Sequence, residues 1–469
     1  MSKFGRPLSL ALAFSCSFAV WAQQPTKSSP PPDYSHEAFV YEQIATELTF
    51  ENDGTATRDI SARVRVQSDA AVQHFGLLRF SYQGSNETTD TPTVRVLKHD
   101  GTTVVTPADG VQDILGDVTL NNPNQLTTVS LDDSSDSVGR SVTITSDAIT
   151  GLAPANIYFP HNPSRLITIL GGSGGNLVNV QSTAAGTTTT WSSQPAGDTA
   201  NVGLNGSVQG ILGNLNLDPT SPTWRGVMVD DSADPTSRAV TITGTSITGL
   251  APGVITYAGV QNLTVDGGSG GNRFSAQSLP PAWTSVALNG GGGTNTLDYS
   301  QYFGDITVNL PLGIATGFTG GISNIRNVTG SQGNDLIVGD ANANMLVGGA
   351  GRNIIIGGGG SDTITGGGGD NILIGGTTVW DTNAAALNAI MQEWTDTSLA
   401  FDQRVNALRK GIVAGGQTYA LNTSTVMADS SPDSLIGGGG QNWFFLDKDD
   451  LINNGAGPGP NDRVTHLNV

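Results

Sequence analysis

The sequence predicts a mainly-β chain: an antiparallel β domain first, then a parallel β-solenoid that tightens into a β-roll, with a short helical insertion near the carboxy terminus. Three observations predict it. Period-two runs flank Asp53-Gly54 and Asp100-Gly101, the pattern of β-hairpins. A long unit is duplicated: "VSLDDSSDSVGRSVTITSDAITGLAP" from Val129 returns as "VMVDDSADPTSRAVTITGTSITGLAP" from Val227, and both copies run on to "GGSGGN", at Gly171 and Gly267. From residue 330 the spacing shortens to nine, in the units "GSQGNDLIV", "GDANANMLV", "GGAGRNIII", "GGGGSDTIT" and "GGGGDNILI".

The elements follow in chain order. Lys3 and Arg6 precede an apolar run over 8–20, and Val20-Trp21-Ala22 offers small residues for cleavage, so residues 1–22 read as a secretory signal peptide. The one cysteine, Cys16, lies inside that segment, which leaves the mature chain no disulfide, thiolate metal site or cysteine nucleophile. Residues 23–35 are a Pro/Ser linker. No later segment is apolar for long enough to span a membrane as a helix. The formal charge of −19 arises from 21 basic against 40 acidic residues. That balance disfavours nucleic acid and anionic membranes as partners and suits cations.

Residues 36–115 carry both hairpin signals and read as a β-sandwich-like domain. This stretch resembles the uncharacterised β-rich domain that precedes transglutaminase-like domains of bacterial surface proteins. The resemblance implies a fold and no activity, since no transglutaminase follows and no cysteine beyond Cys16 of the expected signal peptide is present to run one.

Residues 116–329 hold the long repeats, with short strands such as "SVTIT", "LITIL" and "NLTVD" about every twenty residues and no helical period, which fits stacked parallel coils. Asp132-Asp133 and Asp230-Asp231 occupy equivalent places in the two copies, and duplicated acid pairs suit turn caps or a cation better than catalysis. Ser173 and Ser269 fit G-x-S-x-G, but strand-like text follows each where a nucleophile elbow needs a helix. The five histidines are scattered and form no H-E-x-x-H.

Over 330–376 the five units stand in one register. They resemble the haemolysin-type (RTX) repeat G-G-x-G-x-D-x-U-x, which winds a parallel β-roll around calcium ions. The resemblance implies a ligand at position six, here Asp335, Asn344, Asn353, Asp362 and Asn371, with Asp340 and Asp370 in the same loops as supplements. One coil takes two units, so facing ligands would pair Asp335 with Asn353, Asn344 with Asp362, and Asn353 with Asn371. A carboxylate favours calcium. Asparagines are equally suited to bonding loop amides as a metal-free ladder, so both uses stay open. Position eight (Ile337, Leu346, Ile355, Ile364, Leu373) is expected to point into the roll.

After Gly376 comes the helical text. Leu387, Ile390, Met391 and Trp394 share one helical face, and Phe401, Val405, Leu408 and Ile412 extend the pattern. Units one, three and five turn Leu336, Val338, Ile354, Ile356, Ile372 and Ile374 outward, so residues 377–427 are expected to pack over them. Residues 428–469 add a last repeat-like pair, with Asp433 and Asn442 at position six, and a tail.

The expected function is that of an exported, calcium-binding and calcium-stabilised β-solenoid with a structural or adhesive role and no catalysis, secreted or at a bacterial cell surface. Calcium ions are its expected cofactor and partner, with a surface glycan or another cell-surface component as a second partner. The alternative is a parallel β-helix lyase or hydrolase of extracellular polysaccharide. Such an enzyme needs clustered basic and acidic groups, and the basic residues of 116–329 (Arg140, Arg165, Arg225, Arg238, Arg273 and Arg326) are widely spread.

Overall fold

The structure is a computed structural model and describes residues 36–37, 39–50, 56–66, 79–80, 95–97, 103–105 and, from 111 onward, all but 113, 115, 121–127, 160–165, 195–196, 219–223, 279–283, 454–457 and 468–469. The expected signal peptide and the whole of the linker lie outside the described residues, as do the Asp53-Gly54 and Asp100-Gly101 turns. The chain divides into two compact units, residues 1–75 and 76–469, a boundary that falls within the 36–115 stretch.

In the first unit Phe39–Phe50 pairs antiparallel with Ala56–Val66, so the two period-two runs form one long ladder. In the second unit Arg95–Leu97 pairs antiparallel with Thr103–Val105. Both are the hairpins that the Asp-Gly turns predict.

From residue 111 the chain winds as a solenoid. Strands alternate between an 11-stranded sheet and a 14-stranded sheet except over 141–158 and 239–257, where three consecutive strands stay antiparallel in one sheet. Most other neighbours are parallel, as Leu177–Val180 is to Thr199–Val202. Where the 11-stranded sheet ends at Gly321–Ser323, a 7-stranded sheet carries Thr307–Asn309, Leu336–Val338, Ile354–Ile356 and Ile372–Ile374. Units one, three and five therefore lie on the 7-stranded sheet. Units two and four, Met345–Val347 and Thr363–Thr365, extend the 14-stranded one.

The position-eight residues, with Leu435 and Phe444, are fully buried in one apolar cluster that runs through the coils. Each contributes about 1.5–3 kcal/mol by leaving water. The loops between strands are tight: Gly349, Gly358 and Gly367 adopt φ of 93°, 102° and 96°. A side chain at Gly358 would also strike the Asp340 carbonyl of the neighbouring coil, which is why this position needs glycine.

The roll is interrupted and then resumes. Ile372–Ile374 pairs directly with Trp443–Leu446, and Thr363–Thr365 with Ser434–Ile436, so the late repeat pair stacks as the next coil. The residues between leave the roll as an insertion. Its base is closed by Thr377–Thr378 against Val426–Met427, and it contains helices α1 (Ala384–Thr395) and α2 (Phe401–Lys410). Asn383 caps α1 by accepting the Ala386 N–H, and Gly411 (φ 100°) ends α2. Ile412, expected to extend the helical face, instead begins a short hairpin (Ile412–Ala414 with Gln417–Tyr419), because the chain turns at Gly411.

Leu387, Ile390, Trp394, Phe401, Val405 and Leu408 share a second buried cluster with all six outward aliphatics of the 7-stranded sheet. Met345 on the other sheet stays 54% exposed. The insertion is the cover for the apolar side of the roll.

Candidate functional site: the two loop edges of the roll

The loops entering units one, three and five lie along one edge of the roll, and those entering units two and four along the other. We call these the odd and even edges. On both, the position-six side chain accepts the backbone N–H of the position-six residue one coil earlier. On the odd edge Asn353 Oδ1 accepts from Asp335, Asn371 Oδ1 from Asn353, Asn442 Oδ1 from Asn371, and Asp462 Oδ1 from Asn442, at 2.9, 3.1, 3.2 and 2.7 Å. On the even edge Asp362 Oδ1 accepts from Asn344, Asp433 Oδ1 from Asp362, and Asp450 Oδ1 from Asp433, at 2.8, 2.7 and 3.0 Å. The stacking partners thus follow the 18-residue spacing until the insertion, where the step becomes 71 residues.

The "GGSGGN" loops belong to the same system. Asn176 accepts from Arg140 N–H and donates to the Gly172 carbonyl, and Asn272 accepts from Arg238 N–H and donates to the Gly268 carbonyl. Their bonds match, yet Asn176 enters a strand of the 11-stranded sheet and Asn272 one of the 14-stranded sheet. The duplicated acid pairs match too: Asp133 and Asp231 are buried and receive Gln112 and Gln209, while Asp132 and Asp230 cap turns by accepting the N–H of Ser134 and Ser232. They serve the turns.

Beyond the shared ladder bond the two edges differ. On the odd edge the asparagine amides consume the loop carbonyls. Asn353 Nδ2 donates to the carbonyls of Ala350 and Gly366 and to Asn371 Oδ1, and Asn371 Nδ2 donates to those of Gly369 and Gly437 and to Asn442 Oδ1. Asp335 is also satisfied: its carboxylate accepts the Ile306 N–H, the Ser331 N–H and the Ser331 hydroxyl. Burial still pushes it up to about 6, against those bonds. Asp370, at position five, is paired with Arg404 of α2 and lies 3.8 Å from Arg352. The cations of this edge are arginines.

The even edge has bare oxygens. Asp362 and Asp433 are each 2% exposed, and the Oδ2 of each has no hydrogen-bond partner. An uncompensated buried carboxylate oxygen is costly. Burial pushes Asp362 up to about 7, with Asp429, Asp340 and Asp450 adding repulsion. Burial likewise raises Asp433, and Asp450, Asp362 and Asp429 raise it further. A side chain at Gly375 would collide with the Asp433 and Asp450 carboxylates, so the glycine leaves them room. Asp340, by contrast, is occupied within its own loop by Asn342 and Asn344.

This donor set fits a hard cation that takes six to eight oxygens. Among the described residues no three His, Cys, Asp or Glu side chains form a metal-holding group by themselves, so glycine-loop carbonyls must supply the other oxygens. The odd edge offers amide N–H groups where such an ion needs oxygen, and fits poorly.

The nine residues singled out from sequence thus fall on two edges: Asp335, Asn353, Asn371, Asn442 and Asp370 on the odd, Asn344, Asp362, Asp433 and Asp340 on the even. Sequence reasoning missed Asp429 and Asp450. Asp450 follows Asp433 by 17 residues, one short of the repeat register, whereas Asp429 holds in its unit the same position two that Asp340 holds in unit two, a signal the spacing did offer.

The exchange that separates the edges is testable at one residue. Asn353→Asp removes three donated bonds and should destabilise the roll by about 1–3 kcal/mol without tightening calcium. Chemical denaturation and calorimetric calcium titration of that variant would check it; a gain in calcium affinity would contradict this assignment.

Comparison with protein families agrees with the repeat geometry. The model described as RTX calcium-binding nonapeptide repeat (4 copies) matches residues 327–355 and 347–377. The model described as a domain of unknown function with solved structure, DUF3857, matches residues 52–125. The chain therefore carries RTX calcium-binding repeats on a mainly-β, largely parallel fold. No curated protein matches the chain.

Proposed function

We propose that the even edge is where this chain holds calcium, and that the protein is an exported β-solenoid, stabilised by calcium, with a structural or adhesive role. One observation carries the proposal: Asp362 and Asp433 spend one oxygen each on the ladder and keep the other buried and bare. Calcium bound there would supply two positive charges to a column that otherwise buries like charges together. Asp362 and Asp433 would be the direct ligands, the Asn344 amide would hold the loop above them, and Gly375 would keep the space clear.

The same proposal has no catalytic step. Three arginines of the solenoid are neutralised locally, in Arg140–Asp136, Arg238–Asp234 and Arg273–Asp298, which favours surface staples over a groove for an anionic polysaccharide. No helix of the described residues is long and apolar enough to cross a membrane. Extracellular calcium suits sites of modest charge, so export and folding would be linked.

The test is calcium titration of the full chain after chelator treatment, read by calorimetry. Asp433→Asn should weaken binding about tenfold through loss of ligand charge. Asp335→Asn should leave binding within about twofold, because its carboxylate is already bonded on the other edge. Equal losses in the two variants, or no calcium uptake by the parent chain, would overturn the proposal.

A further inference from the structure

Asp429 holds position two of the unit "ADSSPDSLI", four residues before Asp433, as Asp340 stands four before Asn344, but it is placed where the chain returns from the insertion. It lies two residues past the ladder that closes the base of the insertion, where Thr377–Thr378 pairs with Val426–Met427. One of its carboxylate oxygens accepts the Ser431 N–H, and the other, Oδ2, is buried with no partner, as are Oδ2 of Asp362 and Asp433. Between Asp429 and Asp433 the chain turns through Ser430 at φ 68°, a left-handed conformation that a non-glycine residue adopts only when its surroundings hold it. The Ser430 N–H donates to Asp447, which is hydrogen-bonded to Asp450 through its own N–H. The re-entry turn, the roll and the tail thus meet at the even edge.

We infer that Asp429 joins Asp362 and Asp433 on the same cation, so that calcium pins the base of the helical insertion to the roll. This rests on the calcium reading of the even edge. The chemistry asks for it: Asp429 adds its repulsion at both Asp362 and Asp433, and each of the three keeps one bare oxygen. A divalent cation that takes its remaining oxygens from loop carbonyls or water would offset that repulsion. The consequence reaches beyond the edge. The insertion carries α1 and α2 over Leu336, Ile354 and Ile372, and its two ends enter the roll at Gly376 and at Asp433. Freeing one end loosens that cover and uncovers apolar surface that calcium otherwise keeps closed.

The experiment uses the full-length chain with calcium alone as probe. Hydrogen exchange of 384–410 is followed with calcium and with chelator, beside calorimetric titration. Exchange in both helices should rise at least tenfold on chelation, while strands of the early solenoid such as 177–180 and 199–202 stay protected. Asp429→Asn should bind calcium about tenfold more weakly and need correspondingly more calcium to protect the helices. Asp429→Glu, which keeps the charge, should recover most of the affinity. If calcium binds but helix exchange ignores it, or if Asp429→Asn titrates like the parent, the latch is wrong while the even-edge site stands. If the parent takes up no calcium, both fall.

Discussion

Replacing Arg404 by Met should cost about 2–4 kcal/mol, because it breaks a buried ion pair and leaves Asp370 only the more distant Arg352 and the Gln441 N–H. Arg404 is 1% exposed in the middle of the insertion. Its guanidinium pairs with Asp370 on the odd edge, donates to the Trp394 carbonyl at 2.8 Å, and sits 4.7 Å from the Trp394 ring centre. It therefore ties the end of α1, the face of α2 and a roll loop in one contact. Asp370 in turn accepts the Gln441 N–H at 2.9 Å, so the same pair reaches the coil that follows the insertion. Arg404→Lys keeps the charge but loses the fork and the flat stacking surface, and should recover less than half of the loss. Urea unfolding followed by tryptophan fluorescence gives the comparison. A Met variant within about 0.5 kcal/mol of the parent would show that the apolar face alone seats the helices.

Asp370 also shows where sequence reasoning stops. Its place in a glycine loop makes it a fair supplementary calcium ligand by spacing, yet the partner that claims it lies 34 residues away on a helix with no repeat register. The period of nine is enough to place every inward residue, the two-sheet alternation and the outward aliphatics that the helices cover. It is also enough to pair Asp335 with Asn353 and Asn344 with Asp362. It does not say which pairs still have oxygens to spare. That depends on whether the next residue in the column is Asn, whose amide donates to loop carbonyls, or Asp, whose second oxygen does not. The 18-residue register would put Trp380 after Asp362, but the chain stacks Asp362 on Asp433. Local spacing is blind to that step because the insertion intervenes. Asp450 escapes because a tail brings it in one residue out of register, while Asp429 keeps the register at position two of its unit and is lost only because the insertion hides which coil that unit stacks on.

The even edge makes an expectation about pH with a definite sign. In the chelated protein Asp362 sits at about 7 and Asp433 is raised as well, both above the ordinary aspartate value near 3.8. The folded chain then holds more protons than the unfolded chain between about pH 4 and 7, so its stability falls as pH rises through that window. A tenfold change in a group's proton affinity on folding is worth about 1.4 kcal/mol, so Asp362 and its neighbours should remove about 2–4 kcal/mol between pH 5 and pH 8. Calcium should act in the opposite sense. Protons and the cation compete for the same bare oxygens, so calcium should add little stability at pH 5, where the column is largely protonated, and most at pH 8. The gap between calcium and chelator unfolding midpoints should therefore widen with pH. Asp433→Asn should narrow it by removing one of the raised carboxylates. The check is a set of urea midpoints at pH 5, 6, 7 and 8, each with calcium and with chelator. Chelated protein whose stability is flat or rises across that range would mean that the even-edge carboxylates are not buried as like charges. A calcium benefit equal at pH 5 and pH 8 would mean that the cation binds somewhere other than on these oxygens.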